Sequence, residues 1–405
     1  MYLRSLNLEE FRSYRRLGLS FDPRGLRLAG ANASGKSSLL EAIVMLATTR
    51  SVRSSAERQL INWDSGTDLG FPPFARVSGE IVRAEGPTTV EITLETDPAR
   101  PTYVRKQIKL RGRPVRAMDA VGTLRAVLFS PDDVALVSGP PSERRRYLDL
   151  TISQVDAGYL RSLARYQRVL EQRNSLLKSF ARDGVSPTSA AASAQLGFWN
   201  DELIAFGSAI IAHRWRTVQR LSTLAAERFA WLTSTGPLGV AYRPSVDLSA
   251  VLASSEPKAD SALQAIVVRE FVAGLDAVRA DEIRRGMSLL GPHRDDLDWS
   301  LAGTGLAIYG SRGQQRLAVV ALKLAEAHLM DEVGGEPPVV LLDDVLSELD
   351  VVHQDYLTAT VAKLGGQVVI TATDERLLAR TELAELPSGR VEHGIMEMEP
   401  AVYKA

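Results

Sequence analysis

The chain has 405 residues, 48 Lys+Arg against 49 Asp+Glu, a formal net charge of -1 and no cysteine. That length calls for roughly two or three domains, and the missing cysteines exclude disulfides, thiol chemistry and cysteine-held zinc. Five scattered histidines argue against a histidine metal cluster, no apolar run reaches membrane-spanning length and no signal peptide opens the chain, so a cytoplasmic protein without membrane attachment is expected.

Residues 1–30 alternate as strands do, with Leu3, Leu6 and Leu8, then Leu17, Leu19 and Phe21, then Leu26 and Leu28. The strand Gly25–Ala29 runs into Gly30-Ala31-Asn32-Ala33-Ser34-Gly35-Lys36-Ser37, and Ser38–Leu46 reads as a helix. Strand, glycine-rich turn, Lys-Ser and helix form the phosphate-binding loop pattern. The glycines let the backbone curl until its N–H groups face phosphate oxygens, and the helix N-terminus adds a positive dipole end. Residues Gly30 to Ser38 are therefore the candidate nucleotide-binding residues. Lys36 would reach the β- and γ-phosphates of ATP, and the Ser37 hydroxyl would ligate Mg²⁺.

Residues 50–72 look irregular and carry Arg50, Arg53 and Arg58. Ala75–Val82, Thr88–Leu94 and Val104–Leu110 predict a β-rich sub-sheet, and Leu124–Phe129 a further strand closed by Ser130-Pro131-Asp132-Asp133. Residues 100–125 hold Arg100, Arg105, Lys106, Lys109, Arg111, Arg113, Arg116 and Arg125 against the single acid Asp119. Such an excess marks either an anionic partner or a solvated arginine face.

After Gly139-Pro140-Pro141 the period changes. Leu148, Ile152, Val155, Tyr159, Leu163, Tyr166 and Leu170 fall in steps of three and four, which predicts one long helix from Ser142 to Phe180. A loop over 181–194 precedes a second helix with Leu196, Trp199, Leu203, Phe206, Ile210, Thr217, Leu221 and Leu224 on one stripe. Together they suggest an antiparallel hairpin with arms of about 50–60 Å. Val240–Val246 is a weak strand and Pro257–Gly286 a third helix. From Met287 the β/α character returns, with strands at Leu297–Leu301 and Leu306–Tyr309, a helix at Ser311–Met330, a buried strand at Pro338–Leu342, a helix at Val352–Leu364 and a buried strand at Gln367–Thr371. The expected fold is α/β. A P-loop ATPase head with a β-rich sub-sheet (1–140 and 287–405) is split by an inserted helical arm, 141–286.

Two further stretches carry chemistry. Val339-Val340-Leu341-Leu342 ends in Asp343-Asp344. Asp343, at the carboxyl end of a central strand, would hold Mg²⁺ beside Ser37, and Asp344 would orient and deprotonate the attacking water, acting with Lys36 as the catalytic pair. Ser311-Arg312-Gly313-Gln314 opens a helix, a second phosphate-binding end. One nucleotide rarely needs two such ends in one chain, so an ATP-dependent homodimer is expected, each subunit's Ser311 end capping ATP held by the other's loop.

In this order the motifs resemble ABC-type ATPase heads of the SMC-like branch, and within it the RecF family. The resemblance rests on Leu8–Tyr14, the loop with Asn32, Leu39–Ile43, Phe129–Asp133, Arg144–Asp149, Leu290–Leu297 and Leu341–Asp350. Ala33 and Ser37-Ser38 stand where the family usually has Gly and Thr-Asn. No histidine follows the last strand at Ile370–Asp374, so the γ-phosphate sensor is unassigned, as is the tail after Leu383.

The resemblance implies a slow, DNA-stimulated ATPase that dimerises on ATP. It implies binding to single-stranded or gapped DNA, RecO and RecR partners in recombinase loading, and support of the SOS response. It places Asp350 at the dimer seam. Candidate DNA-phosphate contacts are Arg50, Arg53, Arg58, Arg105, Lys106, Lys109, Arg111 and Arg113, without the aromatic interleaving of a base-stacking site. His293, Arg294 and Arg144–Arg146 read equally as structural or as ligand-facing. Two other readings are a structural DNA-bridging ATPase and an ATP-dependent nuclease, the latter disfavoured by the short segment beyond Asp374.

Overall fold

The computed structural model describes residues 1–54, 56–66, 70, 72–249 and 260–398. The chain divides into two compact units, one of residues 1–134, 227–234 and 312–405, the other of 135–226 and 235–311. The expected junctions at 140 and 286 fall inside the second unit, which takes 287–311 with it.

The first unit holds two six-stranded sheets. One is antiparallel throughout, in the order β2-β1-β4-β5-β6-β7, from β1 (Tyr2–Phe11), β2 (Tyr14–Ser20), β4 (Phe74–Arg83), β5 (Gly86–Asp97), β6 (Arg100–Leu110) and β7 (Arg113–Val115). The other runs β15-β14-β3-β13-β12-β8, from β3 (Gly25–Ala29), β8 (Ala126–Phe129), β12 (Val339–Asp343), β13 (Val368–Ala372), β14 (Ser388–Glu392) and β15 (Ile395–Met398). All its neighbours are parallel except the β14–β15 hairpin. Every residue of β12 and β13 is buried, as unbroken apolar runs in a covered parallel sheet require.

Helix α1 (Lys36–Thr48) packs against β4 and β5 on one side and β8, β12 and β13 on the other. All of it but Ser37 and Ser38 is buried, which explains why its sequence has no polar stripe. Gly79 makes the approach possible, since a Cβ there would stand 2.6 Å from Leu46 and 2.9 Å from Leu3. The Gln367 side chain exchanges two 2.9 Å hydrogen bonds with the backbone of Leu3 and so ties the sheets together.

The second unit is mainly helical. The helix expected over 142–180 is two, α2 (Pro141–Ser153) and α3 (Ala157–Arg182). The break is chemical: the Asp156 carboxylate accepts the Tyr159 N–H at 2.9 Å and starts a new helix. At 26 residues, α3 spans about 39 Å, short of the expected arm. Helix α4 (Ala190–Leu232) is longer, and α5 (Asp260–Arg285) packs on α3. The expected start of α5 at Pro257 lies outside the described residues. A small sheet, β11-β10-β9, is built from β9 (Leu238–Arg243), β10 (Asp296–Leu301) and β11 (Thr304–Gly305). Leu306–Tyr309, expected as a strand, is one helical turn, because the strand has already reversed at Ala302-Gly303, both with positive φ.

A candidate nucleotide site

Residues 30–36 lie at the carboxyl end of β3, where ligands of open α/β sheets bind. Both glycines are sterically required. A Cβ at Gly30 would stand 2.4 Å from the Val391 carbonyl oxygen, and Gly35 has φ 119° with the Tyr14 and Ser13 side chains against it. Lys36 is buried, and its Nζ donates to the carbonyls of Gly30 (2.7 Å) and Ala31 (2.8 Å). Burial lowers its pKa, while the charges of Asp344 and Asp343 oppose that shift. Ala31, Asn32 and Ala33 form the exposed tip, and Ala33 adopts φ 63°, the left-handed region where a glycine is at ease. Ser34 Oγ is buried without a hydrogen-bond partner among the described residues.

The structure brings Asp343 to the loop. Its Oδ1 accepts from Ser37 Oγ (2.9 Å) and Thr371 Oγ1 (3.1 Å), and its Oδ2 from Arg53 (2.5 Å). Asp344 follows in the left-handed region, φ 51°, its N–H donating to the Thr371 carbonyl (3.2 Å) and Oγ1 (3.1 Å). Asp344 Oδ1 is buried without a partner, and burial raises the carboxyl pKa against the Thr373 N–H and Lys36, which lower it.

Among the described residues no group of three or more His, Asp or Glu side chains could hold a metal. Ser37 and Asp343 supply two hard oxygen donors only. That suits Mg²⁺, which takes one or two protein oxygens and completes its shell with phosphate and water. The unpartnered Oδ1 of Asp344 and Oγ of Ser34 are the polar atoms such a ligand would reach.

Three supports escaped the sequence. Tyr14 OH donates to the Gly35 carbonyl at 3.1 Å. Glu41, in α1, accepts a bidentate bond from Arg12 (2.8 and 2.9 Å) and another from Ser51. The unassigned tail forms the β14–β15 hairpin, which pairs in parallel with β3, and its Gly394 N–H donates to the Ser34 carbonyl at 2.9 Å. The alternation Arg390-Val391-Glu392 and the His393-Gly394 turn were the available signals.

Ser311 precedes α6 (Arg312–Gly334), which carries Arg312, Gly313 and Gln314 in its first turn and packs on β8. Arg316 pairs with Glu348 beyond the double acid. Asp350 caps α7 (Val351–Lys363), accepting from the His353 N–H at 3.0 Å and bonding His353 Nδ1 at 2.8 Å; these bonds lower its pKa. Under the Ser130–Asp133 turn, burial pushes Asp133 up to about 6, beside the Lys323–Glu326 pair at 2.6 Å.

Four of the eight candidate DNA contacts already have partners within the chain. Arg53 is bound to Asp343, Lys106 to Glu57 (2.5 Å), Lys109 to Glu91 (2.7 Å), and Arg111 to Thr88 (3.2 Å). Arg50, Arg105 and Arg113 are exposed and Arg58 half-buried. On the outer face of the antiparallel sheet Arg105 stands opposite Glu95, Arg76 pairs with Glu9 and Arg4 with Glu80, so that face is nearly charge-compensated.

The motif Leu290–Leu297 is spent inside the second unit. His293 meets Tyr166 OH at 2.7 Å, and burial lowers its pKa to about 4. Asp295 accepts from Tyr242, Ser245 and Arg214, and Asp296 takes a bidentate bond from Arg144 (2.5 and 2.9 Å).

Residues 2–387 match the family model described as the RecF/RecN/SMC N terminal domain. The chain is 47% identical over 400 residues to the DNA replication and repair protein RecF of Thermomicrobium roseum, covering 98% of this chain and 100% of that one. It is 44% identical to RecF of Chloroflexus aggregans, over 97% and 99% of the two chains. Among solved structures it resembles the recombination mediator protein RecF with ATP in the RecFOR pathway (TM-score 0.81, 28% identity, 98% of both chains). An Smc head bound to the C-winged helix domain of ScpA shares the fold (TM-score 0.53, 15% identity, 100% of this chain and 99% of that one).

Proposed function

The chain belongs to the RecF family of DNA replication and repair proteins and has the SMC-like ABC-type ATPase head fold, and from that premise we propose that it is an ATP-dependent DNA clamp with slow, DNA-stimulated ATPase activity. The observation that carries the reading is the 2.9 Å bond between Ser37 and Asp343, 306 residues apart, which supports a Mg²⁺-nucleotide site built from both. Mg²⁺, when bound, screens the phosphate charge. Lys36 leaves the loop carbonyls for the phosphates, the loop N–H groups from Gly30 to Ser38 bind them, and Asp344 accepts the proton of the attacking water.

In this reading residues 1–140 and 287–405 act as the head and 141–286 as the arm. A second copy supplies Ser311, Arg312, Gly313 and Gln314 in trans, and Asp350 lies at that seam. ATP then favours the dimer because only the dimer contacts it on both sides. Single-stranded or gapped DNA is the proposed substrate, RecO- and RecR-type mediators the partners, recombinase loading and the SOS response the setting, and the cytoplasm the location. Exposed Arg50, Arg105 and Arg113 are proposed phosphate contacts, with Arg58, Lys106, Lys109, Arg111 and Arg53 weaker candidates because of their burial or existing partners.

Light scattering of wild type and Ser311→Arg with ATP tests the clamp. Wild type should dimerise, and the variant should bind ATP yet stay monomeric. A dimer indifferent to this substitution refutes the two-sided site.

A further inference from the structure

Helix α3 presents opposite faces of opposite chemistry. Tyr159, Leu163, Tyr166, Val169, Arg173, Leu177 and Phe180 are buried. Arg161, Arg165 and Arg168 recur at i, i+4 and i+7 on the other side, and all three are exposed. Gln172 and Ser175, also exposed, continue the same stripe. Its span from Arg161 to Ser175 is about 21 Å, and its arginines are separated by about 6 and 4.5 Å along the axis.

These three arginines have no hydrogen-bond or ion-pair partner among the described residues. Many other arginines of the unit do. Arg182 pairs with Asp183 (2.8 Å), Arg269 with Glu270 (2.7 Å), Arg279 with Asp276 (3.9 Å), and Arg144, Arg173 and Arg214 each with a carboxylate. Like charges at i, i+4 destabilise a helix, and the usual remedy is an acid on the next turn. Along α3 the single acid is the exposed Glu171, three residues after Arg168, so Arg161 and Arg165 have no acid three or four residues away on their own helix.

We propose that Arg161, Arg165 and Arg168 form a second DNA-binding surface, on the helical unit, which grips the phosphate backbone of duplex DNA without reading sequence. Charge complementarity selects the occupant. A duplex carries a negative charge about every 1.7 Å of its axis, so three guanidiniums within about 10 Å each find a phosphate. The stripe offers only donors, as backbone contacts require, and no aromatic ring for an unstacked base. This inference deepens the clamp reading and rests on it.

The test uses the full chain and the triple variant Arg161→Ala, Arg165→Ala, Arg168→Ala. Alanine favours helix, and the face is exposed, so the variant should fold and retain ATP affinity. Fluorescence anisotropy with a blunt duplex, between about 0.05 and 0.2 M salt, gives the dependence of log K on log salt. The expected slope is shallower by about 2–3, with affinity at least about tenfold lower at the low-salt end. The corresponding triple lysine variant should restore the slope. Duplex binding with an unchanged slope in the alanine variant overturns the stripe and leaves the clamp standing. A wild-type chain that binds no DNA overturns the clamp reading itself. Displacement of duplex by polyglutamate at equal charge concentration also overturns the proposal, because the face would then be a generic polyanion site.

Discussion

Gly394→Ala would test whether the C-terminal hairpin braces the phosphate loop. Gly394 has φ 75°, its N–H donates to the Ser34 carbonyl at 2.9 Å, and a Cβ there would stand 2.4 Å from the Ser13 carbonyl oxygen. Alanine in the left-handed region costs about 1 kcal/mol. Relieving the overlap means moving the turn away from the loop, and losing the Ser34 bond costs about 1 kcal/mol more. The sum, about 2 kcal/mol, corresponds to a fall in Tm of about 4–8 °C. Gly365 supplies the control. It has φ 70° with nothing within 4 Å of its Cβ position, so Gly365→Ala carries the backbone strain alone and should lose only about 2–4 °C. Only Gly394→Ala should also weaken ATP binding, by up to about fivefold if the lost bond is felt fully at the loop. Thermal melts and equilibrium ATP titration of both variants read these numbers. Equal Tm shifts and equal ATP affinities would show that the hairpin does not hold the loop.

Three other expectations follow from single contacts. Ala33→Gly removes left-handed strain worth about 1 kcal/mol and adds back about 0.4–1 kcal/mol of unfolded-state entropy, so Tm should rise by up to about 2 °C; a fall would mean the alanine makes a favourable contact at the tip. Asp133 has its folded pKa raised to about 6 from 3.8, so its ionisation opposes folding, and stability should fall as pH rises from about 4 to 6. Asp133→Asn should flatten that slope in urea melts at matched pH, by at most about 3 kcal/mol, and an unchanged slope would place the titration elsewhere. Arg173→Met strands Glu282, which is fully buried and bonded to Arg173 at 2.6 Å, and should cost about 3–5 kcal/mol, much of it recovered by adding Glu282→Leu. A single-variant loss below about 1 kcal/mol would mean water reaches Glu282.

The phosphate loop and the double acid were legible because each is local. One needs a strand, two glycines and a helix in succession, the other four apolar residues and a turn. Their meeting was inferable only from the chemistry of Mg²⁺, which asks for both. Thr371 was not legible as a site residue, and Arg53 was read as a DNA-phosphate contact rather than as a partner of Asp343. It meets Asp343 from 290 residues away, which its local context does not show. Asp156 has the chemistry of an N-cap, but the apolar period runs through it from Leu148 to Leu170 and masked the break. The period survived because the break left the apolar positions in step, while the hydrogen bond to Tyr159 decided the backbone. In Leu306–Tyr309 the apolar run was too short to separate strand from helix, and the preceding Ala302-Gly303 reversal decided it.

Arginine partners sort function from architecture better than motif distinctiveness does. Arg144 and the Leu290–Leu297 motif are the most recognisable stretches of the helical unit, yet their side chains face one another. Arg144 is clamped to Asp296, Arg214 reaches Asp149 and Asp295, and His293 is held neutral against Tyr166. A buried group already bonded on several sides gains little from a ligand and loses its fold partner on leaving. Arg161, Arg165 and Arg168 sit in a stretch with no motif, and no described side chain forms an ion pair with them. With 48 basic residues against 49 acidic ones the chain as a whole has almost no net charge. Attraction for an anionic polymer must therefore come from places where compensation fails locally, and on the described part of the helical unit the outer face of α3 is such a place.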